Sequence, residues 1–303
     1  MNKFFSLISL FAFLAIAPSC AQKNYSEQEL INRSIYDRTV EQVADQKDLP
    51  TGELALAVAK TFLGTQYVGG TLEIEPEALQ VFLDKTDCIL FVEMCTAFAL
   101  TIKGREIVQA GDGVHFTIRE TPSVRKAKPS YELLCRNIQN LRYRLGVIDG
   151  YASRLHYTSE WILQAETNGL LEEFTWQLGE EHPQKFFFMT QHPDSYVQIQ
   201  HDPAQGEKIE QIEINLEAQA PYFYISQERL RNPEIISEIH DGDIITFIDT
   251  HPGLDLAHVA LACSDENGEM HFIHATTRGM EVLFEPKTLA DYATNGLRVC
   301  RLK

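Results

Sequence analysis

Cys88 stands where a cysteine can become a nucleophile. Asp87 offers a side-chain oxygen to the free N–H groups of a helix start, and Cys88, Phe91, Val92, Cys95, Phe98 and Ala99 recur behind it at helical spacing. The sulfur therefore falls in the first turn. Unpaired N–H groups and the positive end of the macrodipole there favour a thiolate, lowering its pKa from the free value of about 8.5. Cys95, two turns further in on the same stripe, has no such advantage and reads as a small buried hydrophobe. A thiolate attacking an acyl carbon needs a base to return the proton and a partner that orients the base. It also needs donors for the oxyanion, of which the Cys88 N–H is one. His258 and His274 are the candidates for base and orienting residue.

Their geometry hangs on one hairpin. Strand-like runs at residues 257 to 263 and 270 to 275 flank Asp265-Glu266-Asn267-Gly268-Glu269. A two-residue Asn-Gly loop would pair residues whose numbers sum to 535 and put the histidines on opposite faces of the sheet. A five-residue loop makes that sum 534, which sets 258 against 276 and makes 274 its diagonal neighbour on the same face. A joint role thus predicts the five-residue loop, with Asn267 or Gly268 left-handed.

The elements that must carry these residues are helical early and β late. Ser26 with Glu29 gives a capping-box pattern ahead of Leu30, Ile31, Ile35 and Val40. Thr51 is placed to cap a second helix with Leu54, Ala57, Val58 and Phe62 on one face, and Gly64 to end it. Tyr67-Val68-Gly69-Gly70 reads as a short extended segment where a backbone can approach closely. Arg142, Tyr143 and Arg144 alternate as in a strand, Asp149-Gly150 marks a turn, and a helix runs from about Ser159 to Asn168-Gly169. The stretch Tyr151, Ser153, Arg154, His156, Tyr157 and Trp161 is rich in polar aromatics. It reads as a substrate-facing loop with Arg154 reaching a carboxylate, or as an insertion packed by its own rings. Residues 185 to 190 read as a buried strand with residues 194 to 201 pairing nearby. Residues 244 to 248, 280 to 284 and 297 to 302 read as further strands, and 288 to 292 as a short helix. This order gives an α+β domain.

Composition narrows the partners. The 303 residues carry 26 Lys+Arg against 43 Asp+Glu, a formal charge of -17. Nucleic-acid binding wants clustered cations, and the one dense basic patch is residues 125 to 128. Lys3 followed by the uncharged residues 4 to 18 matches a signal-peptide core and is too short for a bilayer span of about 20 residues. Residues 1 to 21 therefore read as an export leader, either cleaved before Gln22 or a lipoprotein leader in which Ala17-Pro18-Ser19-Cys20 acylates Cys20. Residues 22 to 303 read as the single mature domain. Five further cysteines, an odd number without CxxC spacing, leave at least one thiol unpaired and argue against a zinc knuckle or a disulfide scaffold.

Tyr67-Val68-Gly69-Gly70, Asp87-Cys88-Ile89-Leu90-Phe91-Val92, Asp241-Gly242-Asp243-Ile244-Ile245, His258-Val259-Ala260-Leu261 and Phe272-Ile273-His274-Ala275 occur in that order. The series resembles the NlpC-type papain-like cell-wall cysteine hydrolases over roughly residues 50 to 300. Residues 105 to 235, with Ser153-Arg154-Leu155-His156-Tyr157 and Tyr224-Ile225, together with Gly253-Leu254-Asp255, look like the N-acetylmuramoyl-L-alanine amidase-like branch. The resemblance implies a papain-like α+β fold with the catalytic Cys at a helix N-terminus on an antiparallel sheet, and a family-specific cleft segment over residues 105 to 235. It implies Cys88 as nucleophile, His258 as base, His274 as orienting residue and Tyr67 near the oxyanion. Asp87, Arg154, His156, Tyr157 and Asp255 would then line the substrate site. No cofactor is implied, the partner would be muropeptides, and the setting the Gram-negative periplasm or its membrane through a lipid anchor. Ile89 and Val68 stand where the family usually has Ser and Trp, which bears on the muropeptide bond that is cut.

Two other classes compete. His251, Asp255, His258, His271 and His274 have the donors of a metal-dependent hydrolase, although 271 and 274 have opposite strand parity. A non-catalytic cell-wall binding module is the other. Within the enzyme reading the alternative bond is D-Glu to diaminopimelate in the stem peptide. A charge of -17 predicts either soluble muropeptide fragments as substrate or a locally positive cleft around Arg142, Arg144 and Arg154.

Overall fold

The computed structural model describes residues 25–108 and 124–303; the leader and Cys20 lie outside the described residues. Helix α1 (Glu27–Gln42) starts at Ser26, whose Oγ accepts the Glu29 N–H at 3.2 Å. The Glu29 carboxylate takes Arg33 at 2.9 Å instead of turning back to the cap, so half of the capping box forms. In α2 (Thr51–Thr61) the cap is Pro50. Thr51, expected there, lies inside the first turn, where its hydroxyl donates to the Lys303 carbonyl at 2.8 Å and ties the helix to the C-terminus. Gly64, at φ 82°, turns the chain so that its N–H reaches the Val282 carbonyl at 2.8 Å. Strands β1 (Gln66–Tyr67) and β2 (Lys85–Thr86) follow, then α3 (Cys88–Ile102), which is apolar all round and buried from Leu90 to Thr101.

Strands β3 (Arg105–Ile107) and β4 (Val124–Lys126) form a small antiparallel pair before α4 (Tyr131–Arg142). The strand expected around Arg142 to Arg144 is therefore the end of α4 and a tight turn; Tyr143 alone is extended, bridging Arg154. Helix α5 (Thr158–Thr167) ends at Asn168 and Gly169 as read, and β5 (Leu171–Glu173) joins the main sheet. Next come α6 (Thr175–Leu178), β6 (Glu180–His182), α7 (Phe188–Gln191), α8 (Val197–His201), α9 (Pro203–Glu217), β7 (Tyr222–Tyr224), α10 (Gln227–Leu230) and α11 (Pro233–Ile236). Two expected strands, at 185 to 190 and 194 to 201, are thus short helices. Glu213 of α9 explains the first: its carboxylate accepts the N–H groups of Met189 and Thr190 at 3.1 and 3.3 Å, replacing a strand partner. Phe186, Met189 and Ile199 then pack with Tyr151, Tyr157, Ile209 and Leu216 in a separate small core.

The last third supplies β8 (Ile244–Ile248), β9 (Leu256–Ser264), β10 (Met270–Thr276), β11 (Glu281–Phe284), α12 (Leu289–Tyr292) and β12 (Leu297–Leu302). The eight-stranded sheet runs β2-β1-β11-β10-β9-β8-β12-β5, antiparallel throughout except at β1–β2. Strand parity divides its faces. Leu261, Cys263, Ile273 and Ala275 join the core of α2, α3, α4 and α5, while Phe247, Ala260, Ala262, Phe272 and Val299 pack on the other side. The α+β architecture is as expected. Among the described residues no helix is long and apolar enough to cross a membrane.

Asp241-Gly242-Asp243, one of the motifs quoted above, braces this framework. Asp241 Oδ1 accepts from the N–H and hydroxyl of Ser264, and Asp243 takes Arg301 at 2.8 and 2.7 Å. Gly242, at φ 84°, presses on the first turn of α2: a Cβ there would lie 2.1 Å from the Gly52 carbonyl oxygen. Gly242→Ala is expected to cost about 2–3 kcal/mol, read as a lower thermal midpoint, with kcat per folded molecule unchanged.

Candidate active site

Asp87 caps α3 as the sequence predicts, its Oδ1 accepting the Leu90 N–H at 2.9 Å. Cys88 is the first helical residue and half-buried, and the Val259 N–H points at its sulfur. That contact sets the sulfur against β9, one residue from His258. Tyr67 feels the charge of both Cys88 and Asp87; burial first, then those two groups, raises its pKa, so the phenol keeps its proton and stays a donor. The expected lowering of the Cys88 pKa is not found. Burial pushes the thiol up to about 11 and Asp87 adds to it, outweighing the N–H groups of Val259, Ile89 and Cys88 itself. The helix-start effect is real in sign but smaller than the desolvation of sulfur.

The hairpin has the five-residue loop. Met270 pairs Ser264 and His271 pairs Cys263, a sum of 534, and Gly268 is left-handed at φ 82°. His258 Nε2 consequently lies 2.6 Å from His274 Nδ1. Phe247 stacks on His258, Phe272 meets His274 edge-on, and Tyr292 closes the far side at 5.9 Å from the His274 ring. Burial drives His258 down to about 3 and His274 to about 4. At rest the Cys88 thiol and both imidazoles are therefore neutral. With Nε2 of His258 taken, Nδ1 is the ring nitrogen left for a proton from sulfur.

The remaining predicted residues are held by the protein itself. Arg154, 5% exposed, pairs Glu73 at 3.0 Å and lies 3.7 Å from Glu77. His156 Nε2 meets the Tyr151 carbonyl at 2.9 Å, and burial lowers its pKa to about 3. Tyr157 donates to Glu213 at 2.6 Å, and Asp255 accepts the Ser159 N–H at 2.6 Å, its pKa raised by burial. The locally positive cleft does not form from the arginines named for it. Arg142 pairs Glu93 at 2.9 Å, Arg144 pairs Glu160 at 2.6 Å, and Arg154 is paired as above. Of the residues weighed as metal ligands, His251 bonds Asp249 at 2.6 Å and His271 bonds the Glu285 carbonyl at 3.0 Å. The one group of three such donors within 4.8 Å among the described residues is Asp265, Glu269 and His271 at the hairpin tip.

Two residues near the pair were not foreseen, Tyr292 and Glu285. Glu285 has no exposed surface, and its Oε2 lies 3.4 Å from His274 Nε2, an ion-pair distance without hydrogen-bond alignment. Its one signal in the sequence is an acidic residue ending the apolar run Val282-Leu283-Phe284.

The chain is similar in structure to an N-acetylmuramoyl-L-alanine amidase from Bacteroides uniformis, at 29% identity over 84% of this chain and 99% of that one, TM-score 0.69. A Bacteroides fragilis protein with a provisional xylanase assignment is 30% identical over 80% of this chain and 99% of that one, TM-score 0.64. A Legionella pneumophila protein of the family model DUF1460, 18% identical over 90% of this chain and 95% of that one, TM-score 0.60, shares the fold. No curated protein matches. The AmiA-like family model, described as N-acetylmuramoyl-L-alanine amidase-like, matches residues 57–297. That match takes in every residue from Tyr67 to Tyr292 discussed above, and the chain belongs to this amidase-like family, which acts on peptidoglycan.

Proposed function

We propose that this chain is an exported cysteine amidase of the NlpC type with a papain-like catalytic arrangement. It would hydrolyse the amide between the muramyl lactyl group and L-Ala of soluble peptidoglycan fragments. The observation that carries the reading is the 2.6 Å contact between His258 and His274, with the Cys88 sulfur against the neighbouring Val259 N–H. His258 Nδ1 takes the thiol proton as the sulfur adds to the lactyl carbonyl carbon. The oxyanion receives the protonated Tyr67 phenol and an N–H at the start of α3. The C–N bond breaks as His258 returns the proton to the departing L-Ala amine, leaving a thioester on Cys88. Water then adds with His258 again as base, freeing the muramyl acid and the thiol. A neutral starting pair suits this cycle, because the proton moves as the carbonyl charge develops.

The neutralised arginines and the charge of -17 favour soluble fragments over the anionic wall itself. A glycosidase reading needs two carboxylates flanking the sugar bond. Among the described residues, Asp87 next to Cys88 is bound to the Leu90 N–H and Glu285 next to His274 is fully buried on Arg278, so neither is free to flank such a bond. The leader is read as delivering the protein to the Gram-negative periplasm, free or anchored through Cys20. Mass spectrometry of defined muropeptides after incubation tests the bond: free stem peptide beginning at L-Ala, with the free sugar acid, is expected. A cut between D-Glu and diaminopimelate would replace the amidase by the peptidase, and intact muropeptides would overturn both.

A further inference from the structure

Two adjacent strands and the residue that directly follows a third place three side chains on a diagonal. His258 of β9 meets His274 of β10 two positions off the register pair, and β10 pairs with β11 as His274 against Leu283, so Glu285 is again two positions off. Glu285 Oε1 accepts the Lys287 N–H at 3.2 Å, Oε2 takes the guanidinium of Arg278 from the β10–β11 turn, and the Glu285 N–H donates to the Phe272 carbonyl at 2.9 Å. The carboxylate is completely buried, whereas its arginine is more than half exposed.

We propose that Glu285, braced by Arg278, is a positioning residue that fixes the tautomers of both histidines and so leaves His258 Nδ1 free to take the Cys88 proton. The inference rests on the cysteine-amidase reading for its consequence, though its geometry does not. An ionised carboxylate only accepts, so its charge 3.4 Å away favours hydrogen on the His274 nitrogen facing it, Nε2. A neutral imidazole has one N–H, which makes His274 Nδ1 a bare acceptor. The short contact to that nitrogen then requires the hydrogen on His258 Nε2, and His258 Nδ1 is bare in turn. A protonated Glu285 would donate instead. Every step would reverse, leaving His258 Nδ1 carrying hydrogen and unable to accept from sulfur. Arg278 and the Lys287 N–H, the donors on the carboxylate, oppose that protonation; Tyr292 from α12 and His271, on the Glu285 carbonyl, are the other titratable groups against this cluster.

Long-range proton–nitrogen NMR of histidine-labelled full chain reads the tautomers without substrate. The wild type is expected to show His258 and His274 both protonated at Nε2. Glu285→Gln, which removes the charge at nearly constant shape, is expected to introduce the opposite tautomers and to lower kcat about 10- to 100-fold with KM unchanged, less than the roughly 10⁴-fold loss when a directly bonded triad carboxylate is neutralised. Arg278→Met, at an exposed position, tests the same chain if Glu285→Gln fails to fold, and a shift in the same direction is expected. Nδ1 protonation of His258 in the wild type, or unchanged tautomers in a folded variant, would overturn the proposal. Failure to cut muropeptides with the expected tautomers present would sink the amidase assignment and leave this inference standing.

Discussion

Cys88→Ala is expected to lower kcat/KM on muropeptides by at least about 10⁴-fold while the protein stays folded with little change in thermal midpoint. The first half follows from the role proposed for the sulfur: water attack without the thiol loses the covalent step. The second half follows from position. Cys88 is half-buried at the first turn, the Asp87 cap does not depend on its side chain, and alanine is the best helix former. Cys95→Ala is the control. Cys95 is fully buried two turns along α3, its thiol held well above its ordinary range by burial alone, and its loss should cost stability without changing kcat. Alkylation of the free enzyme separates this site from one built on a standing thiolate–imidazolium pair. With the thiol pushed up to about 11 and His258 down to about 3, labelling of Cys88 should rise with pH through the alkaline range and show no plateau near neutrality. Slow labelling at pH 7 is therefore no sign of an inert binding module; activity of wild type against Cys88→Ala decides that question. Equal kcat/KM in the two proteins would remove the cysteine mechanism.

The residues that bear chemistry were more legible than the ground beneath them. Asp87 and Cys88 were readable because a cap followed by a 3.6-residue stripe is a local signal, and the five-residue hairpin followed from one parity argument linking His258 to His274. The Cys88 pKa is not legible in the helix start alone because burial, which tertiary packing sets, outweighs it. Residues 185 to 201 misled for a related reason. Phe186, Phe187 and Phe188 look like a strand until Glu213, some 25 residues on, takes the amide hydrogens a neighbouring strand would have taken. Arg154, His156 and Tyr157 stand out as polar groups in an aromatic run and Asp255 as the acid just ahead of His258; Arg154, Tyr157 and Asp255 each have a partner distant in sequence, Glu73, Glu213 and Ser159, and no local pattern announces that. Glu285 was invisible because its meaning depends on the β10–β11 register, fixed by the turn at Arg278 and Gly279.

Arg142→Met is expected to destabilise the protein by about 3–5 kcal/mol, seen as a fall in thermal midpoint of about 5–8 °C for a chain of this size. Arg142 closes α4 with its guanidinium on Glu93 of α3 at 2.9 Å and on the Gln80 carbonyl, and both charged groups are almost wholly buried. Removing the cation leaves a carboxylate among apolar side chains, which is where the penalty arises. The pH dependence identifies the culprit. Burial already raises the folded-state pKa of Glu93 despite Arg142, and losing Arg142 raises it further. A carboxyl whose folded pKa exceeds its unfolded value, about 4.3, binds its proton more tightly when folded. Its stabilising contribution is thus complete below the unfolded pKa and is lost as pH rises through the folded one. The deficit of Arg142→Met should accordingly be smaller at pH 5 than at pH 8. Adding Glu93→Met should recover most of it, because a buried ion pair replaced whole by packed side chains costs little. A double variant as unstable as the single one, at both pH values, would show that the loss comes from the Gln80 contact and the packing of the arginine stem. Because Arg142 also draws the Asp87 pKa down, the same pair joins the α3–α4 interface to the cap of the helix that presents Cys88.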